Sequence, residues 1–341
     1  MEEENTNKEI VTKKRKINIR RIVVFFVLTI FTLTTFITNR AEYLKIKEIG
    51  QNYTSVFFTN FYMKLGMFIV SFLIAYFLIY INNRIIKKGM KKLFDQEKRI
   101  LPKLPNKSIA LILGILAGVF ALKCLYTKYI VCINAASFGQ TDPVFGYDIG
   151  FYMFILPFIK SMLIYLILFA LVMVIYTAIY YVIAINVCFD KGIDIQSLKE
   201  NTFIKQIKFW ALIFTLFISI YILFAAQDIL TGNMISIKDE HSTELTGAGV
   251  ADTFIKLWGY RIFAVIVLIS VVKIIKNANA DNFKKCIKSA SMIPIYLVIM
   301  FGTLIYFQEI YVGSNELDKE KDYIKYNIDA TKEAYGIEIN Q

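Results

Sequence analysis

Long stretches without charge decide what this chain can fold into. Along its 341 residues, Asp, Glu, Lys and Arg are absent, or fall only near the ends, over 22–38, 65–81, 108–125, 161–187, 209–226, 257–275 and 289–307. About 20 apolar helical residues cross roughly 30 Å of hydrocarbon. The runs are apolar on every side rather than along one stripe, which suits lipid or a bundle interior. Backbone N–H and C=O groups in lipid must be satisfied internally, so helices follow rather than open strands. The expectation is an all-α integral membrane protein with seven transmembrane helices. The sixth run holds Arg261 and Lys273 near its ends, where long stems carry charge to the interface. Trp258 and Tyr260 add an aromatic anchor there.

Composition agrees: 57% of residues are hydrophobic and only 19% are charged, with five prolines. That profile excludes disordered, collagenous and disulfide-rich secreted chains.

The net charge of +12 is a statement about orientation. With Met1 inside, most of the 39 Lys and Arg residues fall in cytoplasmic stretches, notably 84–107 and 273–288. The positive-inside rule then gives a basic cytoplasmic N-terminus over 1–21, a membrane domain over 22–307 and an extracytoplasmic tail over 308–341. Dropping the sixth span would export the 273–288 cluster, which the same rule disfavours. These cations meet anionic lipid headgroups, and no nucleic-acid motif accompanies them. The first run follows a basic segment, but no small-x-small site follows Thr38, so it reads as an uncleaved signal anchor. The tail is expected to be partly helical from about Asn315 to Ala334, yet too short for an independent domain.

No catalytic or cofactor pattern emerges. The single histidine, His241, precludes His-based zinc sites and Ser-His-Asp arrangements, and no phosphate-cradling glycine loop precedes a basic residue. Cys124 and Cys132 lie near one span end, as a bridge or, by preference, as two thiols. Polar groups gather instead at the outer span ends. Arg261 is the only arginine after Arg99 and lies on the side that cations avoid. Either its head snorkels to the interface, or it pairs with Asp228 or Glu309; snorkelling is the preferred reading.

The stretch 141–158 is the most distinctive. Asp142-Pro143 starts a turn, Asp148 is placed to cap a helix, and Pro157 is expected to break that short helix before span four. An interfacial elbow is the favoured reading. The alternative is a divalent-cation site on Asp142 and Asp148, for which two acids lack a fixed third ligand. Gly114 and Gly118, four apart, permit close helix approach, read as internal packing. Residues 41–60 are expected to lie in the outer interface.

Several of these stretches together resemble uncharacterised protein family 0182, large bacterial multi-pass proteins, in its N-terminal membrane region. The matching residues are Glu48-Ile49-Gly50 with Val56-Phe57, and Phe138-Gly-x-x-Asp-Pro-Val-Phe-Gly-x-Asp-Ile-Gly-Phe-Tyr152 with Leu156-Pro157. Downstream come Gly247-Ala-Gly-Val-Ala-Asp252, Asn315-Glu-Leu317, Glu320, Tyr323-Ile324, Asn327-Ile328 and Ala334-Tyr-Gly336. Ser314 and Asp322 depart from the pattern, standing where it tends to have proline. The resemblance implies a bacterial plasma-membrane location and no mechanism. It also implies that 308–341 opens a larger extracytoplasmic domain, so that the chain is a fragment, a split product or a natural short form. The expected role is anchoring or organising extracytoplasmic structure. The rival classes are a transporter or channel, and a membrane enzyme acting on lipid or envelope substrates at the outer face.

Overall fold

The computed structural model describes residues 19–96, 106–188, 202–231, 247–279 and 282–337. Most of the basic N-terminus, the 189–201 segment and the 232–246 segment with His241 lie outside the described residues. Helix dominates, and the strand content among the described residues is one isolated bridge, Thr141 to Asp148.

Helix α1 (Ile19–Ile49) carries the first charge-free run. It turns through Gly50 and a short 3-10 turn into α2 (Thr54–Gln96). The two helices lie antiparallel: Tyr43 packs edge-on against Phe57, Lys64 binds Glu42 at 2.8 Å, and Phe31 stacks on Phe68. Residues 41–60 therefore form the hairpin between two continuous helices. At 43 residues, α2 is about 65 Å long, roughly twice a hydrocarbon core.

Next come α3 (Asn106–Ile133) and α4 (Leu156–Cys188), the latter entered through a π-helical turn at Phe151–Ile155. Helix α5 (Thr202–Ala225) ends in a 3-10 turn, Ala226–Leu230. A second π-turn, Asp252–Lys256, opens α6 (Leu257–Asn279). Helices α7 (Phe283–Ala290) and α8 (Met292–Tyr306) are nearly continuous, and a third π-turn, Phe307–Val312, closes α8. The chain then forms α9 (Glu316–Ala334).

Six helices among the described residues are long and apolar enough to cross a membrane: Gln51–Lys91, Asn106–Ile133, Phe151–Val182, Ile204–Leu230, Asp252–Ala278 and Phe283–Val312. They contain five of the expected runs from 65–81 to 289–307 and cover the other, 161–187, as far as Val182. Their large apolar side chains are widely exposed, for example Val172, Ile175 and Ile179 on α4 and Val298 and Phe301 on α8. Water would penalise such faces and lipid does not.

The short elbow helix expected before Pro157 is not separate. The π-turn at Phe151–Ile155 passes into α4 without interruption. Pro157 lacks an N–H and its ring crowds the carbonyl of residue i−4. The wider π-turn lies at that point of the ladder, so the proline is absorbed rather than breaking the helix.

Helices α2 and α3 pack most intimately, followed by α4 with α5. Gly118 explains the first: a Cβ there would come within 2.8 Å of the Phe68 ring, and one at Gly114 within 3.2 Å of Phe72. The glycine pair thus serves contact within the chain. A small apolar core of Ala75, Ile79, Ala110, Ala170, Met173 and Trp210 joins α2 to α5.

Below that core, at the end carrying Arg84 and Lys107, lies a buried amide network. Asn82 Oδ1 accepts from Gln206 Nε2 (2.8 Å) and Trp210 Nε1 (3.0 Å), while its Nδ2 donates to Thr177 Oγ1 (3.1 Å). Tyr176 O–H donates to Asn83 Oδ1 at 2.8 Å. The network ties α2 to α4 and α5 with neutral groups only, which satisfies buried polarity without the desolvation penalty of a charge. Cys124 and Cys132 on α3 are free thiols.

Candidate functional site

The opposite end of the bundle, which carries α9, gathers the distinctive stretches. There Asp142 is buried and closes its own turn. Its Oδ1 accepts from the N–H groups of Val144 (2.8 Å) and Phe145 (2.7 Å), and its Oδ2 from the Tyr147 N–H (3.0 Å) and the Tyr152 hydroxyl (2.6 Å). Gly146, at φ 73°, supplies the left-handed residue that the turn needs.

Asp148 stitches the preceding loop to the start of the next helix. Its Oδ1 accepts from Phe138 N–H (3.1 Å) and Gly150 N–H (2.7 Å), and its Oδ2 from Ser137 Oγ (2.6 Å) and Gly139 N–H (2.9 Å). These donors favour the charged form, the Ser137 hydroxyl foremost, and lower its pKa from 3.8 to about 2. The expected helix-capping role is therefore visible in the Gly150 bond. Both carboxylates spend their lone pairs on the chain's own donors, which leaves little for a cation. The described residues contain no group of three or more His, Cys, Asp or Glu side chains able to hold a metal.

Asp228 ion-pairs with Lys160 across the starts and ends of neighbouring helices. Arg261 has no carboxylate partner among the described residues; its guanidinium lies over the Trp258 ring, 4.9 Å from the centroid. Glu309 is exposed in the third π-turn. The sequence-level candidates thus fall at one end of the bundle, but Arg261 does not meet Asp228 or Glu309.

The contact that sequence reasoning missed is between α9 and the start of α6. Glu320 is buried, and both its oxygens face the Val250 N–H, at 3.1 and 3.0 Å. Val250 opens the helical segment that continues into α6, so a carboxylate from α9 caps another helix's N-terminus. Asp252, also buried, accepts from Gly249 N–H (3.1 Å) and from Lys256 Nζ (3.0 Å). Burial pushes the Glu320 carboxyl above the usual range, the Val250 N–H opposes this, and the Asp252 and Glu316 carboxylates add to it. Gly249 leaves room for the clasp, since a Cβ there would stand 3.0 Å from Glu320 Oε1. Tyr323 and Thr253 share a hydroxyl contact at 2.9 Å.

These segments enclose a cavity of about 660 Å³, walled by the Asp142 turn, both helix-opening π-turns and α9. All three π-turns lie at this end. Such turns recur at functional sites because they re-aim side chains that an α-helix would misplace.

An all-helical chain with a cluster of membrane-length helices and a closed polar clasp at one end is the class that fold and site define. Residues 19–341 match uncharacterised protein family UPF0182, and the chain belongs to it. Relatives include a UPF0182 protein of Caldicellulosiruptor saccharolyticus, 27% identical over 332 residues, which covers 94% of this chain and 35% of the relative. Another, from Clostridium perfringens, is 28% identical over 321 residues, covering 93% of this chain and 34% of its own length. The chain therefore spans about a third of the length of the curated relatives it matches. No solved structure matches it. Three of the stretches that carry the resemblance, far apart in the chain, meet here: 138–152, 247–252 and 315–328.

Proposed function

We propose that this chain is a seven-span plasma-membrane protein, N-terminus inside and tail outside, whose bundle anchors extracytoplasmic structure. The observation that carries the anchoring role is the Glu320–Val250 clasp, which seats α9 on the bundle rather than leaving it as a free tail. A seated helix transmits the orientation of the bundle to whatever it bears. The count of seven is supported by α1, whose charge-free run lies along α2 through the Phe31–Phe68 stack. The orientation is supported by the basic clusters around 84–107 and 273–288, which favour the cytoplasmic side. An odd number of spans then sends the tail out.

Single cysteines introduced into a variant without native cysteines test this by labelling in intact cells with a membrane-impermeant maleimide. A cysteine at Lys332 should label and one at Lys284 should not. Labelling of Lys284→Cys with Lys332→Cys protected would overturn the orientation.

A further inference from the structure

The cavity at the α9 end has features that a packing gap would not need. Its volume, about 660 Å³, lies within the roughly 300–1,000 Å³ of small-molecule pockets. Tyr152 and Met153 come from the first π-turn, Thr253 and Phe254 from the second, and Tyr323 and Tyr326 from α9. Three separate segments must be in place before this space exists.

One side of the cavity faces outward. Met153, Phe254 and Trp258 line it and are also exposed. Below Trp258, the exposed residues Ile262, Val265 and Ile269 continue on the same face of α6 at spacings of four, three and four. The opening therefore joins an apolar stripe on the bundle's flank. On the reading proposed above, that flank is lipid-facing and this end lies at the outer headgroup level, so an acyl chain can enter sideways without crossing water.

Charge narrows the occupant. Among the described residues, the ionisable carboxylates lining the cavity are Asp142 and Asp322, and no lysine or arginine lines it. Asp142 is saturated by its own turn, whereas Asp322 is exposed at the rim. Of the cations beside its wall, Lys256 is bound to Asp252, and Arg261 lies over Trp258, itself a wall residue. A headgroup here meets one free carboxylate and tyrosine faces, which attract an ammonium, with a guanidinium beyond Trp258 for a phosphate. A net-anionic headgroup would meet the same free carboxylate without an ammonium to pair with it. Complementarity of this kind sets specificity more than affinity.

We infer that the cavity is a lipid site. It takes an acyl chain of a zwitterionic, amine-bearing phospholipid, with the ammonium against Asp322 and Tyr326 and the phosphate toward Arg261.

The test is native mass spectrometry of the purified full chain in detergent, with phosphatidylethanolamine and phosphatidylglycerol supplied separately at equal concentration. The expected result is one retained phosphatidylethanolamine, with an adduct population about tenfold above that of phosphatidylglycerol. Ala248, a small wall residue, gives the occluding variant: Ala248→Trp should abolish the adduct. Should that variant fail to fold, Asp322→Lys alters only an exposed rim charge, and it should abolish or reverse the lipid preference while leaving Tm unchanged. Equal retention of the two lipids by the unaltered chain, or a preference that survives Asp322→Lys, overturns the inference. A chain that stays soluble and monomeric without detergent would instead sink the membrane reading beneath it.

Discussion

Glu320 and Val250, seventy residues apart, are joined by a carboxylate that holds the Val250 N–H at 3.1 and 3.0 Å with both oxygens. The bond satisfies one of the orphan donors at the start of α6 from a different helix. Glu320→Ala leaves that buried N–H unpaired, at about 1–3 kcal/mol. The expected outcome is a lower Tm in detergent and faster proteolysis within α9. Glu320→Gln, which keeps an acceptor, should lose less. Equal behaviour of the Glu320→Ala variant and the unaltered chain in both assays would dismiss the clasp.

The same carboxyl makes stability depend on pH. Burial lifts its folded-state pKa above the ordinary 4.5. Between those two values the folded chain binds more protons than the unfolded one, so stability falls as pH rises through the window. It is full below 4.5 and levels off above the raised value. Thermal unfolding from about pH 4 to about pH 8 should show this downward slope, and Glu320→Gln should flatten it. A slope of the opposite sign that persists in the Gln variant would assign it to other groups.

At the other end, Asn82 accepts from both Gln206 and Trp210. Asn82→Leu is close in volume but strands two buried donors. Each stranded donor costs about 1–3 kcal/mol, so the variant should be among the least stable in the α2–α5 region. Pairing it with Gln206→Leu should recover part of the loss in a double-mutant cycle. Additive losses would mean that the hub is not coupled.

Arg261 has an aromatic partner and no ionic one among the described residues. Cycles of Arg261→Gln with Asp228→Asn or with Glu309→Gln should therefore be additive within about 0.5 kcal/mol. Lys160→Gln with Asp228→Asn should couple, by about 0.2–1 kcal/mol for a pair this exposed. Coupling in the first two cycles would restore the ionic reading of Arg261.

The glycine pair and the tail helix are legible in the sequence. Gly114 and Gly118 read as a close-contact face, and the neighbour proves to be α2 through Phe72 and Phe68. The tail reads as partly helical from about Asn315, and α9 covers Glu316–Ala334, docked through Glu320. The pairing of Arg261 is not legible. Sequence places it at a span end near two acids, but the azimuth of each helix decides whether side chains meet, and Trp258 lies one turn away on the same face. The break expected at Pro157 fails for a local reason, since a π-turn changes the ladder in which the proline sits.

By itself the sequence determined that the chain is helical and where six membrane-length apolar helices run, because both follow from charge spacing within a single segment. Only the tertiary structure decided that Glu320, flanked by Lys319 and Lys321 in a polar tail, is buried. The resemblance marked Glu320 and 247–252 as parts of one pattern without saying why. The reason is spatial: a buried carboxylate is tolerable only where distant backbone donors have been assembled to meet it. That assembly depends on how α6 and α9 are brought together, which no local pattern encodes.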